Sequence, residues 1–498
     1  MSLRLRAKHI QTELTGLLSK PWMQYVWLFM ITALGAALRF YRLGEWSFWI
    51  DEIYTINHAL AHFGTPQLIL DNIPPARNWI PVSVILAAQS LNLWGVSEWS
   101  ARLASVMIGI ISIPILFFPT RRMFGHGAAL FAALFLAVSP WHIFWSQNAR
   151  FYTSLLLFYT LSLFVFYLIL ERNQPVYFIL FYGLLYLAFS ERLFAFFVFP
   201  VIGVYLVALW LFKFEKPKGF TLWNIALIAV PILLGSAIEL YSRIADGQSR
   251  FFADFDWFFL YRSGDPILLL GNITFNIGIP LMTLALFSGL FLMMRRHRAG
   301  LFMTVNAVVP LGMMVVANPF IFTKDRYVFI VLFSWVVLAA VAIQELLSQV
   351  HGQYKWLAIG VVALLIMDAG GDALLYYRNN GGNRPEWKTA FQIIQKQSRP
   401  DDVVVTYWPE FRPFYLDREF IQYEEIDVPT LLDSGKRYWF VMDAETIWSN
   451  TKVKTFIEKN GRLIDIRYLR TPDDFFLKIY LFDPKQQPPP DKLSTSDP

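Results

Sequence analysis

Apolar runs of roughly 17–25 residues recur along this chain, and no other feature constrains its folding as much. A helix rises about 1.5 Å per residue, so each run can cross the roughly 30 Å hydrocarbon layer of a bilayer. About eleven such runs can be read, near 22–40, 100–119, 127–142, 153–171, 175–190, 193–213, 221–241, 266–293, 301–318, 326–346 and 356–376. Of the 498 residues 56% are hydrophobic and only 16% charged, whereas soluble domains carry about a quarter charged. With 46 Phe, 22 Tyr and 18 Trp, the solvent for most of this surface must be lipid. The fold class is therefore a polytopic α-helical membrane protein. The sequence contains no cysteine, which excludes disulfides, Cys-ligated zinc and thiol catalysis. Residues 1–20 lack a cleavable-signal pattern, and Lys20-Pro21 leads straight into the first run, as expected of a retained first helix.

A further apolar stretch, 79–94, is shorter and carries Ser83, Gln89, Ser90 and Asn92. If it does not cross, Arg121-Arg122, Glu171-Arg172, Lys213 to Lys218, Arg295 to Arg298 and His351 to Lys355 all join the N-terminal Arg4, Arg6, Lys8 and Lys20 on one side. That is the cytoplasmic side by the positive-inside rule; a crossing would move all five clusters outside. The stretch is therefore expected to be an interfacial helix within a long outer loop, 42–98. The N-terminus is then cytoplasmic and the C-terminus extracytoplasmic in a multi-pass protein of the cell membrane. The transmembrane module is taken as 1–376. After residue 377 the turn-rich Asn379 to Pro385 reads as a linker. A helix over Glu386 to Lys396, strands at 402–407 and 437–442, a helix at 446–459 and strands at 462–469 and 475–482 predict an extracytoplasmic α/β domain at 377–485. The Pro-rich tail 486–498 reads as disordered. There is no internal repeat, no Gly-rich phosphate loop and no HExxH pattern.

The outer loops hold the residues that could carry chemistry. Asp51 and Glu52 stand just beyond the first run among Trp46, Phe48, Trp49 and Tyr54, rings suited to the membrane–water boundary. Asp51 could instead cap a helix starting at Glu52. Neighbours on a helix point about 100° apart, so one acid is expected to act as base while the other orients or caps. Arg77 follows Pro74-Pro75 and could bind lipid phosphate or snorkel. Glu98 and Arg102 have i,i+4 spacing and could simply pair. Gln147, Arg150 and Tyr152 lie in the next outer loop, and Glu191-Arg192 between two very apolar runs, where polar groups are costly unless they function. Lys324 and Arg326, beside Asp325 and Tyr327, are the best pair for a phosphate, as point charge and planar fork; the alternative is an ion pair centred on Asp325.

The run from Arg39 through Asp51-Glu52, Pro74-Pro75, Ser97-Glu98 to Arg102-Leu103, Arg121 to Gly125 and Ser146-Gln147 to Arg150-Tyr152 resembles the dolichyl-phosphate-mannose-protein mannosyltransferase superfamily. Its bacterial branch includes the aminoarabinose transferases that modify lipid A. The resemblance covers about residues 20–170, and Asp325-Arg326-Tyr327 is similar to a later motif. It implies a GT-C glycosyltransferase fold, a polyprenyl-phosphate sugar as donor, and an acid of the first outer loop as base, the position of Asp51. Two residues depart from the pattern. Ile73 stands where a histidine is frequent, and Asn148 where an acid is frequent.

The expected reaction is inverting transfer of a sugar from a polyprenyl-phosphate donor to a hydroxyl of a lipid, glycan or protein acceptor at the outer face. Asp51 and Glu52 are the catalytic acids; Lys324, Arg326, Arg192 and Arg150 would hold the donor phosphate; Arg77, Gln147, Tyr152, Tyr327 and Glu191 would contact substrate. A divalent cation is a candidate cofactor, but no clear ligand set for it can be read. The partners are the lipid-linked donor, the acceptor and membrane lipids, with no nucleic acid. Two rivals share the scaffold or the setting: transfer of a whole oligosaccharide en bloc, and non-catalytic transport of a lipid-linked glycan.

Overall fold

The computed structural model describes residues 22–62, 81–245, 264–321, 323–350, 354–378, 384–418, 420–443, 451–468 and 476–485. The chain starts with α1 (Met23–Phe40), then α2 (Ile50–His62) and α3 (Val82–Trp94) in the first long loop. The bundle continues with α4 (Glu98–Phe124), α5 (His126–Val138), α6 (Pro140–Ser146), α7 (Tyr152–Arg172), α8 (Val176–Glu191), α9 (Val198–Leu211) and α10 (Leu222–Ala245). It is completed by α11 (Pro266–Ile277), α12 (Ile279–Met294), α13 (Arg298–Ala317), α14 (Leu332–Gln349) and α15 (Tyr354–Arg378). The protein is thus a multi-pass helical membrane protein. Among the described residues seven helices are long and apolar enough to cross, or nine if each of two bent pairs is one crossing. The helices over Val176–Glu191 and Leu222–Leu234 are apolar but shorter, so the expected eleven crossings are not reached by this measure.

The two bends shape the site. Between α5 and α6 the axis turns by 59°. Pro140 has no N–H to give to the carbonyl of Leu136, and its ring prevents a straight helix. The buried Arg39 side chain takes over, donating to Leu136 O at 3.0 Å and Ala137 O at 2.9 Å. Gly109 of α4 crosses here so closely that an added Cβ would lie 2.8 Å from Ser146 Cβ. Between α11 and α12 the turn is 95°, at Gly278 with φ 97°, a conformation open chiefly to glycine.

Beyond the bundle come α16 (Trp387–Gln397), β1 (Val403–Thr406), the single turn α17 (Arg412–Tyr415), β2 (Phe420–Gln422), α18 (Val428–Asp433), β3 (Tyr438–Met442), α19 (Thr451–Asn460), β4 (Arg462–Tyr468) and β5 (Phe476–Phe482). The sheet order is β2-β1-β3-β5-β4. β1 is parallel to β2 and β3, while β5 is antiparallel to β3 and β4. Every residue of β1 and β3 is buried, as expected of strands covered on both faces. The three-residue β2 is an addition to the strands expected from sequence. The small domain packs on the first long loop: Phe48, Ile50, Ile53, Ile56 and Ala59 share one core with Trp387, Phe391, Phe411, Trp439 and Ile479. The Tyr415 hydroxyl accepts from Phe48 N at 2.6 Å and donates to Glu98 Oε1 at 3.2 Å, and Lys388 Nζ meets Glu98 at 3.0 Å. The loop that carries Asp51 is therefore clamped between membrane bundle and sheet domain. Arg77, Pro74-Pro75, Ile73 and the tail from 486 lie outside the described residues.

Candidate active site

The two adjacent acids are sharply separated by their surroundings. Glu52 is fully buried and accepts from Arg102 Nε and Nη2, both at 2.8 Å, in a bidentate fork. It also accepts from Ala149 N at 2.8 Å and Trp49 N at 3.1 Å, and Arg384 Nε is 4.0 Å away. Burial alone would raise its pKa, but Arg102 and then Arg384 hold it down to about 2. The remaining Arg102 donors go to the carbonyls of Leu43 and Trp46 at 3.0 Å and Ser47 at 2.8 Å. This corrects the i,i+4 expectation: Arg102 pairs with Glu52, and Glu98 pairs with Lys388. Glu52 locks the turn before α2, and these four hydrogen bonds occupy both of its oxygens.

Asp51 lies in the first turn of α2, after its start at Ile50, so it does not cap the helix. Its side chain is 25% exposed, with Arg150 Nη2 at 3.6 Å from Oδ2. Arg150 is fixed by donating to Asp51 O at 2.7 Å and Thr55 Oγ1 at 3.0 Å. Arg326 is an electrostatic neighbour of Asp51 and Tyr152, and its guanidinium lies over the Trp49 ring at 5.0 Å. Tyr54, one turn along α2, has its hydroxyl pushed up to about 12 by burial and then by Glu410 and Asp51.

Trp49 also forms part of a cavity of about 250 Å³ lined by Lys324, Asp325 and Arg326, by Arg384, and by Asn276 at the α11–α12 bend. Asp325 accepts from Asn276 Nδ2, at 2.5 Å, and from the Arg326 backbone N–H at 2.8 Å, so it orders the turn beside Arg326. Several guanidinium N–H groups here are buried without any hydrogen-bond acceptor: Arg326 Nε, Arg150 Nε, and Arg384 Nε and Nη1. Buried donors of this kind are rare in folded proteins unless a ligand or water completes them. Burial and then Arg102 bring the Arg384 pKa to about 10, so it remains cationic at neutral pH.

Other candidates are placed differently from expectation. Gln147 is fully buried: its Nε2 donates to the carbonyls of Arg39 at 3.0 Å and Tyr41 at 2.8 Å, and its Oε1 accepts from Tyr376 at 2.9 Å. Glu191 is likewise buried and accepts from both the backbone N–H (3.0 Å) and hydroxyl of Ser83, holding the start of α3. Both side chains are buried and bonded to protein neighbours, as buried polar groups usually are. Arg192 and Arg150 each lie 5.2 Å from the Phe151 ring. Tyr327 stacks on Phe194 at 4.5 Å, and Tyr152 is buried against Trp145 at 3.8 Å. Asn148 is fully buried with neither amide atom hydrogen-bonded. Among the described residues no three His, Asp or Glu come together as metal ligands, and the ion-pair partner of Asp51 is Arg150. The described residues do not fit a cation.

The family model for dolichyl-phosphate-mannose-protein mannosyltransferase matches residues 74–234. No curated protein matches by sequence. Among solved structures, ArnT from Cupriavidus metallidurans in the apo state is 15% identical with a TM-score of 0.57, covering 93% of this chain and 99% of its own. The same protein bound to undecaprenyl phosphate gives 15% and 0.55 over 91% and 98%. The archaeal oligosaccharyltransferase AglB from Archaeoglobus fulgidus, in complex with an inhibitory peptide and a dolichol-phosphate, gives 12% and 0.57 over 95% and 75%. These likenesses show that the chain shares its fold with ArnT and AglB.

On this scaffold three residues beside the cavity were not singled out by sequence reading. Arg384 sits in a stretch whose turn residues mark it as a linker, yet it is buried and donates to Gln147 O. Asp368 and Asp372 of α15 also line the cavity. Their i,i+4 spacing within an apolar run was the available signal, since ionisable residues at membrane depth are functional by default.

Proposed function

We propose that this GT-C protein transfers a sugar from a polyprenyl-phosphate donor to an acceptor hydroxyl at the extracytoplasmic face, with Asp51 as general base. The observation that carries the reading is the partly exposed Asp51 carboxylate beside buried guanidinium groups whose N–H donors lack acceptors. Such donors suit an anion with several oxygens. Arg326, Lys324 and Arg384 bind the donor phosphate in the cavity, with Arg150 at its edge toward Asp51. Asp51 takes the proton of the acceptor hydroxyl. The hydroxyl oxygen bonds to the anomeric carbon as the bond from that carbon to the phosphate oxygen breaks, and the sugar inverts in one displacement. Polyprenyl phosphate leaves with one more negative charge, which the preorganised cations stabilise without reorganising. Asp51 then returns its proton to water. Asp368 and Asp372 supply hydrogen-bond acceptors for sugar hydroxyls.

En bloc transfer of an oligosaccharide is the second reading, supported by the likeness to AglB. A transfer assay in membranes with a radiolabelled polyprenyl-phosphate monosaccharide distinguishes the two. Wild-type protein is expected to label acceptor, and Asp51→Asn to lose about 10²–10⁴ of the rate. Labelling only from an oligosaccharide donor would favour the second reading.

A further inference from the structure

A second polar cavity lies at the opposite end of α4 from the Arg102–Glu52 pair. The 27 residues of α4 make it about 40 Å long, so the two sites face opposite membrane surfaces. This cavity, about 440 Å³, is lined by Arg122, Arg172, Arg296 and Arg298 against two glutamates, Glu171 and Glu215. It opens where the Lys/Arg distribution predicts the cytoplasmic face.

Two of the four arginines are preorganised. Arg298 Nη2 pairs with Glu171 Oε2 at 3.0 Å and Nη1 donates to Glu215 O at 3.1 Å. Arg296 Nη1 donates to the carbonyls of Phe212 at 2.7 Å and Lys213 at 2.9 Å. The other two, Arg122 and Arg172, make no hydrogen bond or ion pair among the described residues. The loops around the cavity are held in an unusual backbone state. Asn173, Lys213 and Arg296, with φ of 52°, 51° and 55°, are three of the four described non-glycine residues at positive φ. Long basic side chains stand at two of these positions, where glycine would fit more easily. Below the guanidinium layer, Leu168 and Phe164 line the same cavity one and two turns deeper along α7 than Arg172. The slot is thus cationic at its mouth and apolar beneath, unlike a site for a soluble anion.

We infer that this slot binds the phosphate headgroup of an anionic phospholipid in the leaflet facing the basic loops, with the first part of an acyl chain against Leu168 and Phe164. Arginine forks match phosphate oxygens, and basic pockets between membrane helices at this level take anionic headgroups. The bound lipid would tie α4, α7, the start of α13 and the 212–221 and 295–297 connections together.

The test uses full-length protein purified in detergent and depleted of lipid. Thermal midpoint and lipid adducts by native mass spectrometry are followed on adding phosphatidylglycerol, phosphatidylcholine or inorganic phosphate. Phosphatidylglycerol alone is expected to raise the midpoint and to remain bound. Arg122→Gln with Arg172→Gln should weaken that response roughly ten-fold or more, whereas Arg295→Gln, outside the cavity, should leave it intact. Because Arg122 and Arg172 are exposed and unpartnered, the double variant should match wild type without lipid. An equal response to phosphatidylcholine, a full response to inorganic phosphate, or an undiminished phosphatidylglycerol response in the double variant would each overturn the inference.

Discussion

Replacing Glu52 by Gln should damage the fold before it damages the chemistry. Glu52 accepts four hydrogen bonds, two from Arg102 and one each from Ala149 N and Trp49 N, with Arg384 4.0 Å away. Glutamine keeps the shape but removes the charge, turns an N–H₂ toward a guanidinium, and leaves two buried cations without an anion. Breaking a buried pair in this way costs about 3–5 kcal/mol, or about two to four powers of ten in the folded-to-unfolded ratio. Intrinsic tryptophan fluorescence of the detergent-purified protein reads this as a lowered thermal midpoint. Glu52→Gln with Arg102→Met, which removes one cation as well, should recover part of the loss. The pH dependence has a fixed sign. A carboxyl depressed from 4.5 to about 2 contributes its stability fully above pH 4.5 and loses it as pH falls toward 2. The deficit of Glu52→Gln against wild type should therefore narrow across that window. A variant with the wild-type midpoint but no sugar transfer would refute the structural role and move Glu52 into the chemistry.

Arg384→Gln removes buried donors from the cavity while Arg102 still satisfies Glu52; it should raise the KM for the lipid-linked donor roughly ten-fold or more, read in the same transfer assay. Gly109→Ala places a methyl against Ser146 at the α4–α6 crossing and should lower stability by about 1–3 kcal/mol, seen as a lower thermal midpoint. Pro400→Cys puts the sole thiol of the chain on an exposed turn of the sheet domain; an impermeant maleimide should label it in intact cells, and labelling only after lysis would invert the topology.

Periodic and local features were legible in the sequence. Each apolar run is helical, and the apolar strings Val403 to Val405 and Tyr438 to Met442 form two of the three internal strands. The three-residue β2 carries too little pattern to stand out. Site contacts were less legible because they join distant positions. Glu52 meets Arg102 across 50 residues, and Arg384 meets Gln147 across 237, and nothing in local spacing encodes such pairings. Gln147 and Glu191 misled for a related reason. A polar residue at the end of an apolar run looks functional, but both satisfy backbone groups at helix ends, a need that arises only once the helices pack. Arg39 belongs with them, since its donors serve carbonyls freed by Pro140. Asp51, by contrast, stands out in the sequence by its setting, yet its separation from Glu52 depends on burial, which local spacing does not encode.

The central claim is that Asp51 deprotonates the acceptor. Sugar transfer from a radiolabelled polyprenyl-phosphate donor, compared between wild type and Asp51→Asn at matched expression and thermal midpoint, tests it most directly. With Asp51 as base, the variant stays folded and loses about 10²–10⁴ of the rate. Wild-type transfer by a well-folded Asp51→Asn protein would contradict it.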